Sequence, residues 1–230
     1  GYAFTLLSQY SSAPRAEHYH TLKQACRYLC STKDWGIVYW WTAPVLSLPE
    51  VTLDQPTFDP SLPEYPQVLP HQLAGYVDAA HATDLKTRRS ITGLVFTFAG
   101  GAIAFKSKLQ PTIATSSTEA EFIAAVHAAK IAKYLRSVLA DLGYAQTGPT
   151  PLYEDNQAAI AMIQENKPTT RSRHIDVQWF AIQEWRARNI LKIIYIPTTI
   201  NPADAATKAL SWVLHSRHVR YAMGHYGPSW

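Results

Sequence analysis

Four acidic residues stand at the ends of apolar stretches, where a carboxylate can be fixed by secondary structure and still face a ligand. They are Asp78, Glu121, Asp155 and Asp204. Clustered carboxylates repel one another unless divalent cations lie between them, and hard oxygen ligands favour Mg²⁺ or Mn²⁺ over zinc. Two such ions would orient a phosphodiester for in-line attack by water. The four acids together therefore predict a site for metal-dependent phosphodiester hydrolysis.

Each acid taken singly also has an ordinary structural interpretation. Asp78 could form a turn and Asp155 could cap the following helix, and for both this is the better interpretation in isolation. Asp204 would occupy the third position of a helix that is capped by Asn201 and begins at Pro202, where a negative charge suits the helix dipole. The functional interpretation depends on the whole set.

Helical phase decides between Glu119 and Glu121. Residues two apart on a helix point roughly 200° apart, so only one of them can face the sheet. A step of three back from the apolar position Ala124 reaches Glu121, where a buried acid is costly unless it forms a salt bridge or binds a cation. Glu119 is then expected to point toward solvent and to form a capping box with Ser116.

The order of apolar patterns predicts an α/β domain over residues 71–210, with a mixed sheet covered by helices. Strands are predicted at 73–78, 91–98, 102–106, 151–154 and 191–196, and helices at 117–142, 156–164, 174–187 and from 201 onward. A tight hairpin across Gly100-Gly101 joins the second and third strands, and Gly143 ends the long helix.

The rest of the chain is predicted to form three smaller pieces. Residues 1–43 contain a helical pattern at 16–30 and an aromatic strand candidate at 36–41, and are too short for a core of their own. Seven of the fifteen prolines fall in residues 44–70, which predicts an extended proline-rich linker. Residues 211–230 are predicted to form a C-terminal helical tail.

Composition excludes several classes of protein. A content of 47% hydrophobic and 17% charged residues excludes disorder of the whole chain. No run of eighteen apolar residues occurs, and the N-terminus lacks the pattern of a signal peptide. Cys26 and Cys30 cannot supply a metal tetrad and are interpreted as reduced thiols of an intracellular protein. Residues 71–230 carry seventeen Lys/Arg against eleven Asp/Glu, which suits either nucleic acid or an ordinary solvated surface.

Five motifs follow one another along the second part of the chain: GYVDAAHATDLKTRRSITG, SSTEAEFIAA, YEDNQAAIAM, SRHIDVQWFAIQEW and YIPTTINPADAATK. In order and spacing they resemble the ribonuclease H domain of copia-like (Ty1/copia) retrotransposon polyproteins, from about Gly75 to Leu210. Residues 1–41 are similar to the connection or tether segment that follows the polymerase there. The resemblance implies a ribonuclease H-like α/β fold with a five-stranded mixed sheet, flanked by helices, and a small N-terminal α/β extension.

The resemblance also implies an activity. It is metal-dependent hydrolysis of the RNA strand of RNA–DNA hybrids during retrotransposon reverse transcription, with two Mg²⁺ ions, or Mn²⁺ in their place. Asp78, Glu121, Asp155 and Asp204 match the family's metal-binding acids. The implied partners are the hybrid and the polymerase portion of the same polyprotein, without a membrane or a small-molecule cofactor. The expected location is intracellular, in cytoplasmic virus-like particles with access to the nucleus.

Residues beside the acids match positions that contact the hybrid in such enzymes: Ser116, Ser117, Thr118, Asn156 and Gln157. Hydroxyl and amide groups suit recognition of the 2′-OH, although helix capping and plain solvent exposure are alternatives. The basic candidates for phosphate contact are Arg88, Arg89, Arg171, Arg173 and His174, for which a solvated charge is the alternative.

One departure from cellular ribonucleases H concerns product release. Those enzymes carry a histidine in the loop after the fifth strand, whereas this loop reads Pro197-Thr198-Thr199-Ile200. Two other functions stay open: a catalytically inactive or domesticated binding or tether module, and another nuclease of the same fold, such as an integrase or a junction resolvase.

Overall fold

The computed structural model describes residues 1–39, 63–165 and 176–225. The five strands are β1 (Ala74–Ala80), β2 (Ile91–Phe98), β3 (Gly101–Leu109), β4 (Thr150–Glu154) and β5 (Leu191–Tyr195). The six α-helices of these ranges are α1 (Tyr2–Ser8), α2 (Ala16–Ser31), α3 (Ser117–Asp141), α4 (Gln157–Gln164), α5 (Asp176–Ala187) and α6 (Trp212–Ala222). None of these helices is both long and apolar enough to span a bilayer. Most of the predicted linker, and the candidates Arg171, Arg173 and His174, lie outside the described residues.

The strands form one mixed sheet in the order β3-β2-β1-β4-β5. The strands β1, β2 and β3 are antiparallel neighbours, whereas β4 is parallel to β1 and β5 is parallel to β4. Tyr76 of β1 is paired with Tyr153 of β4, and Asp78 and Asp155 each follow two residues later. The pairing therefore brings these two acids to the same edge of the sheet. The predicted α/β class and five-stranded mixed sheet are confirmed.

Apolar side chains fill both faces of the sheet, which explains why the central strands read as nearly continuous apolar runs. The face covered by α3, α4 and α5 buries residues such as Val77, Phe96 and Phe122. On the opposite face Tyr76, Val95, Tyr153 and Tyr221 pack together, the last of them contributed by α6.

The long helix α3 begins as expected, but the predicted direction of Glu119 is wrong. The Ser116 side chain accepts a hydrogen bond from the backbone N–H of Glu119 at 3.1 Å, which caps the helix. Glu119 is only 8% exposed, and its Oε2 accepts hydrogen bonds from the backbone and the hydroxyl of Thr115 at 2.8 and 2.6 Å. The polypeptide just before α3 therefore covers the first turn of this helix and buries Glu119. The helical spacing of apolar residues does not predict this second buried side.

Two other expectations need correction. Of the strand candidate at 36–41, residues 40 and 41 lie outside the described residues, and residues 36–39 form no strand: the backbone N–H of Val38 donates to the carbonyl of Met223 just after α6. The described part of the N-terminal extension is therefore helical rather than α/β. The helix predicted from Asn201 is a short 3₁₀ helix, Pro202–Ala206, and Ser211 starts α6 anew with a side-chain cap. Short 3₁₀ segments are common connectors, and apolar spacing does not distinguish them from the start of an α-helix.

Candidate active site

Three of the four predicted acids converge near the C-terminal ends of the neighbouring strands β1 and β4. Asp78, Glu121 and Asp155 each place a carboxylate oxygen within 4.8 Å of those of the other two. Asp78 and Glu121 are 2% and 6% exposed, and Asp155 is half-buried. The parallel pairing of β1 and β4 aligns the two aspartates, and the first turns of α3 supply the glutamate. Residues far apart in the sequence thus form one acidic cluster.

Asp204 approaches the cluster from the 3₁₀ helix and is 3% exposed. The side chain of Lys208 lies between it and Asp78: its Nζ is 3.0 Å from Asp204 Oδ1 and 3.7 Å from Asp78 Oδ1. The Thr207 hydroxyl donates to Asp78 Oδ2, so Asp78 is held from this side as well. The fourth acid is therefore linked to the other three through a lysine.

The segment that carries Asp204 is anchored directly to the central strand. The Asn201 side-chain amide donates to the carbonyl of Val77 at 2.7 Å, and Asn201 Oδ1 accepts from the backbone N–H of Ala203 at 3.1 Å. Asn201 is completely buried, so both bonds are shielded from water. This asparagine fixes the distance between Asp204 and the end of β1, and it also caps the 3₁₀ helix as the sequence predicts.

Burial and mutual repulsion raise the pKa values of acids in the site, which disfavours full ionisation of the cluster. Burial raises the pKa of Glu121 to about 11, and the negative charges of Glu154, Asp78 and Asp155 add to the effect. Burial likewise raises the pKa of Asp204 to about 7, with a further contribution from Asp78. The pKa of Asp155 is also raised by burial, against a hydrogen bond from Thr198. A cation that entered the cluster would relieve these costs.

The donor atoms of the cluster fit a hard divalent cation. Glu121 Oε2 is buried and has no hydrogen-bond partner within the described residues, so it is a costly acceptor as it stands. The three clustered ligand atoms are carboxylate oxygens, which suit Mg²⁺ or Mn²⁺, whereas structural zinc favours sulfur and nitrogen. The acids can therefore hold a hard divalent ion.

Two residues of the site were not singled out from the sequence. Lys208 lies four residues after Asp204, a spacing typical of an ion pair, and this was a usable signal. Glu154 is completely buried beside the cluster, and its Oε1 accepts a hydrogen bond from the backbone N–H of Asn156 at 3.0 Å. An acid inside the apolar run Pro151–Glu154 was the corresponding signal. Burial raises the pKa of Glu154 well above its usual range.

The predicted hybrid-contacting residues comprise two helix caps, two further exposed groups and one half-buried threonine. Ser116 caps α3, and Asn156 caps α4 by accepting from the backbone N–H of Ala159 at 3.0 Å. Ser117 and Gln157 are exposed on the first turns of these helices, and Thr118 is half-buried. The helix starts next to the acids therefore present a hydroxyl and an amide outward.

The loop between β1 and β2 carries two predicted phosphate contacts and is organised by Asp84. Its carboxylate accepts hydrogen bonds from the backbone N–H of Lys86 at 2.9 Å and the hydroxyl of Thr87 at 2.6 Å, and these bonds lower its pKa. Arg88 is exposed with a φ of 56°, and Arg89 is half-buried. The hydrogen bonds to Asp84 thus stabilise the conformation of the loop that carries both arginines.

Sheet order, helix placement and the acids at the ends of β1 and β4 together define a ribonuclease H-like domain. No protein-family model matches the chain. It is 34% identical over 209 residues to the retrovirus-related Pol polyprotein from transposon TNT 1-94 of Nicotiana tabacum, which covers 91% of this chain and 14% of that polyprotein. It is 28% identical over 212 residues to the Pol polyprotein from transposon RE2 of Arabidopsis thaliana, at 92% and 13% coverage.

The chain belongs to the retrovirus-related Pol polyproteins of copia-type transposons, and it spans about one seventh of the length of these relatives. Among solved structures, the ribonuclease H1 LC11 isolated from compost is similar at a TM-score of 0.46 and 16% identity, covering 60% of this chain and 93% of that one.

Proposed function

We propose that this segment is a metal-dependent endoribonuclease that cuts the RNA strand of RNA–DNA hybrids during retrotransposon reverse transcription. The observation that carries the proposal is the convergence of Asp78, Glu121 and Asp155 within 4.8 Å, where Glu121 Oε2 is buried and has no hydrogen-bond partner in the part of the chain that the structure describes. Membership of the Pol polyprotein family supports it, because reverse transcription produces such hybrids. The same membership supports the polymerase portion of the polyprotein as a partner.

The four acids would together hold two hard divalent ions. Asp78, Glu121 and Asp155 would hold one ion, and Asp78 with Asp204 would hold the other, so that Asp78 is shared. When bound, Mg²⁺ or Mn²⁺ supplies the positive charge that orients the scissile phosphodiester and activates water. The Thr207 hydroxyl and the Asn201 anchor keep Asp78 and Asp204 in register for this purpose.

The surface around the acids can receive a polyanion with a 2′-OH. Arg88 is exposed on the loop after β1, and Ser117 and Gln157 are exposed at two helix starts beside the acids. Arginine pairs with phosphate, and hydroxyl and amide groups can hydrogen-bond to the 2′-OH that distinguishes RNA from DNA. We expect hybrid binding to weaken steeply as salt is raised.

A cleavage assay tests the proposal. Labelled RNA–DNA hybrid is incubated with the protein and Mg²⁺, and we expect Asp155→Asn to reduce cleavage by more than about 100-fold, since even the outer-shell partners of metal ligands cost 10–100-fold. The matched control is Asp141→Asn, which alters an exposed aspartate at the far end of α3 and should cut normally.

The choice of substrate separates the other functions. Preferred cutting of duplex DNA would favour an integrase-like or resolvase-like nuclease, whereas tight binding of hybrid without cleavage by the unaltered protein would favour a binding module. Undiminished cleavage by Asp155→Asn would contradict the assignment of the acids.

A further inference from the structure

Lys208 occupies an unusual place for a surface lysine. Its Nζ lies 3.0 Å from Asp204 Oδ1 and 3.7 Å from Asp78 Oδ1, between the two carboxylates, and its side chain is 40% exposed. Within the described residues it is the cation that contacts the acid cluster. Lys208 is therefore only partly enclosed by its surroundings.

The backbone places this lysine with its carboxylate partner. The backbone N–H of Lys208 donates to the carbonyl of Asp204 at 3.1 Å, so the two residues belong to one turn. Thr207 belongs to the same turn and is buried. Its hydroxyl is within hydrogen-bond distance of Asp78 Oδ2 and of the carbonyl oxygen of Asp204, to which it donates. The geometry of the ion pair is therefore built into the short segment that carries the acid.

An ammonium at this position competes with a divalent ion for the same oxygens. A divalent ion held by Asp78 and Asp204 would take carboxylate oxygens of both residues as its ligands. Lys208 Nζ already lies close to one oxygen of each carboxylate. A divalent ion bound to the same carboxylates would lie near the ammonium, and the two positive charges would repel each other strongly in a partly buried site. The lysine must leave before such an ion can bind.

We propose that Lys208 is a built-in counter-ion that holds the Asp78–Asp204 side of the site in the metal-free protein and is displaced when the second divalent ion binds. The inference rests on the proposed function. It makes the two ion sites unequal: the cluster of Asp78, Glu121 and Asp155 accepts an ion without moving the lysine, whereas the Asp204 side does not. The flexible stem of lysine allows the ammonium to swing outward.

Metal-binding measurements test the role of Lys208 without relying on cleavage. Mn²⁺ is titrated into the metal-free protein by calorimetry, with electron paramagnetic resonance to count bound ions. We expect Lys208→Gln to tighten the weaker site by about tenfold, because the competing ammonium is gone, and to leave the tighter site unchanged. Lys192→Gln is the control, because this exposed lysine of β5 is paired in register with Pro151 near the start of β4, away from the acids.

A second measurement uses the unaltered protein and covers the case in which Lys208→Gln does not fold. The ¹⁵N-labelled Lys208 ammonium should give a protected NMR signal in the metal-free protein, because it is held between two carboxylates. We expect Mg²⁺ to leave that signal in place during the first equivalent and to abolish it during the second.

The outcomes distinguish this inference from the function on which it rests. If the unaltered protein binds two ions, but Lys208→Gln leaves the weaker site unchanged or weakens it, the role of Lys208 is overturned and the nuclease proposal stands. A Lys208 signal that persists when both sites are filled has the same consequence. If the unaltered protein binds no divalent ion, both proposals fail.

Discussion

Asp78 is the residue around which the site is organised. It lies in the central strand, it contributes to the three-acid cluster, and it contacts Lys208 and Thr207 on the side of Asp204. A carboxylate with two oxygens can serve two cations at once, which is why the shared ligand of a two-ion site must stand between the others. Asp78 is paired in register with Gly93 of β2, and its strand β1 lies between β2 and β4 in the sheet, so the ligand with the most contacts stands on the central strand.

The raised pKa of Asp204 predicts an unusual pH dependence of stability in the metal-free protein. Its pKa rises from 3.8 to about 7 on folding, chiefly through burial, so the folded state favours the protonated form. The stabilisation of the folded state that comes from protonated Asp204 is fully present below about pH 4 and is lost as the pH rises through about 7. We expect the free energy of unfolding in EDTA to fall by about 2–4 kcal/mol over this window from this group alone.

The comparison with Asp204→Asn isolates this effect. His218 acts in the opposite direction at low pH, because burial lowers its pKa to about 3 and the unfolded chain then gains protons first. Thermal unfolding of both proteins in EDTA at pH 5 and pH 8 should show a loss of stability in the unaltered protein that is smaller in Asp204→Asn. Equal losses in the two proteins would refute the assignment to Asp204. Added Mg²⁺ should reduce the loss.

At the scale of elements, the site depends on how closely the 3₁₀ helix approaches β2. A Cβ added at Gly93 would clash with the Thr207 side chain and would lie 2.8 Å from the carbonyl oxygen of Ala203. Gly93 is paired in register with Asp78, so this contact fixes the distance between the segment that bears Asp204 and the strand that bears Asp78. Only a residue without a side chain permits the approach.

Gly93→Ala should therefore damage both stability and metal binding. We expect a loss of about 1–3 kcal/mol in the free energy of unfolding, the usual cost of forcing a methyl group into a packed region. The affinity of the ion site that includes Asp204 should fall as well. Urea unfolding and Mn²⁺ titration measure the two effects. Gly148→Ala is the control, because nothing lies within 4 Å of the added Cβ there, and it should change neither quantity.

The contrast between Glu121 and Lys208 shows how much of this site the sequence could predict. Helix phase selects Glu121 because the helical period relates it to a buried stripe, and the strand Ile91–Phe98 is predicted at its observed bounds because it is a nearly continuous apolar run. The prediction that Glu119 faces solvent is wrong because the chain before α3 covers this residue, and a contact made by a loop leaves no periodic pattern in the sequence. Lys208 was missed because its role depends on Asp78, which is 130 residues away in the sequence.

At the scale of the whole molecule, the N-terminal segment is attached to the nuclease-like domain through β3 and the end of α6. The Thr5 hydroxyl donates to the carbonyl of Ser107 in β3 at 2.9 Å, and the Tyr39 hydroxyl donates to the carbonyl of Ala102 at 2.9 Å. Val38 bonds to Met223, and His225 pairs with the carbonyl of Gly36. These contacts join residues 1–39 to the hairpin strand β3 and to the end of α6.

Removal of residues 1–39 should thus lower stability and leave metal binding intact. The four hydrogen bonds named above, at roughly 0.5–1.5 kcal/mol each, suggest a loss of about 2–6 kcal/mol in the free energy of unfolding. All four acids lie between residues 78 and 204, so the rise in melting temperature on adding Mg²⁺ should persist in the shortened protein. Thermal unfolding with and without Mg²⁺ measures both quantities. An unchanged melting temperature would show that the segment contributes no support to the domain, and loss of the Mg²⁺ effect would show that the segment shapes the acidic cluster itself.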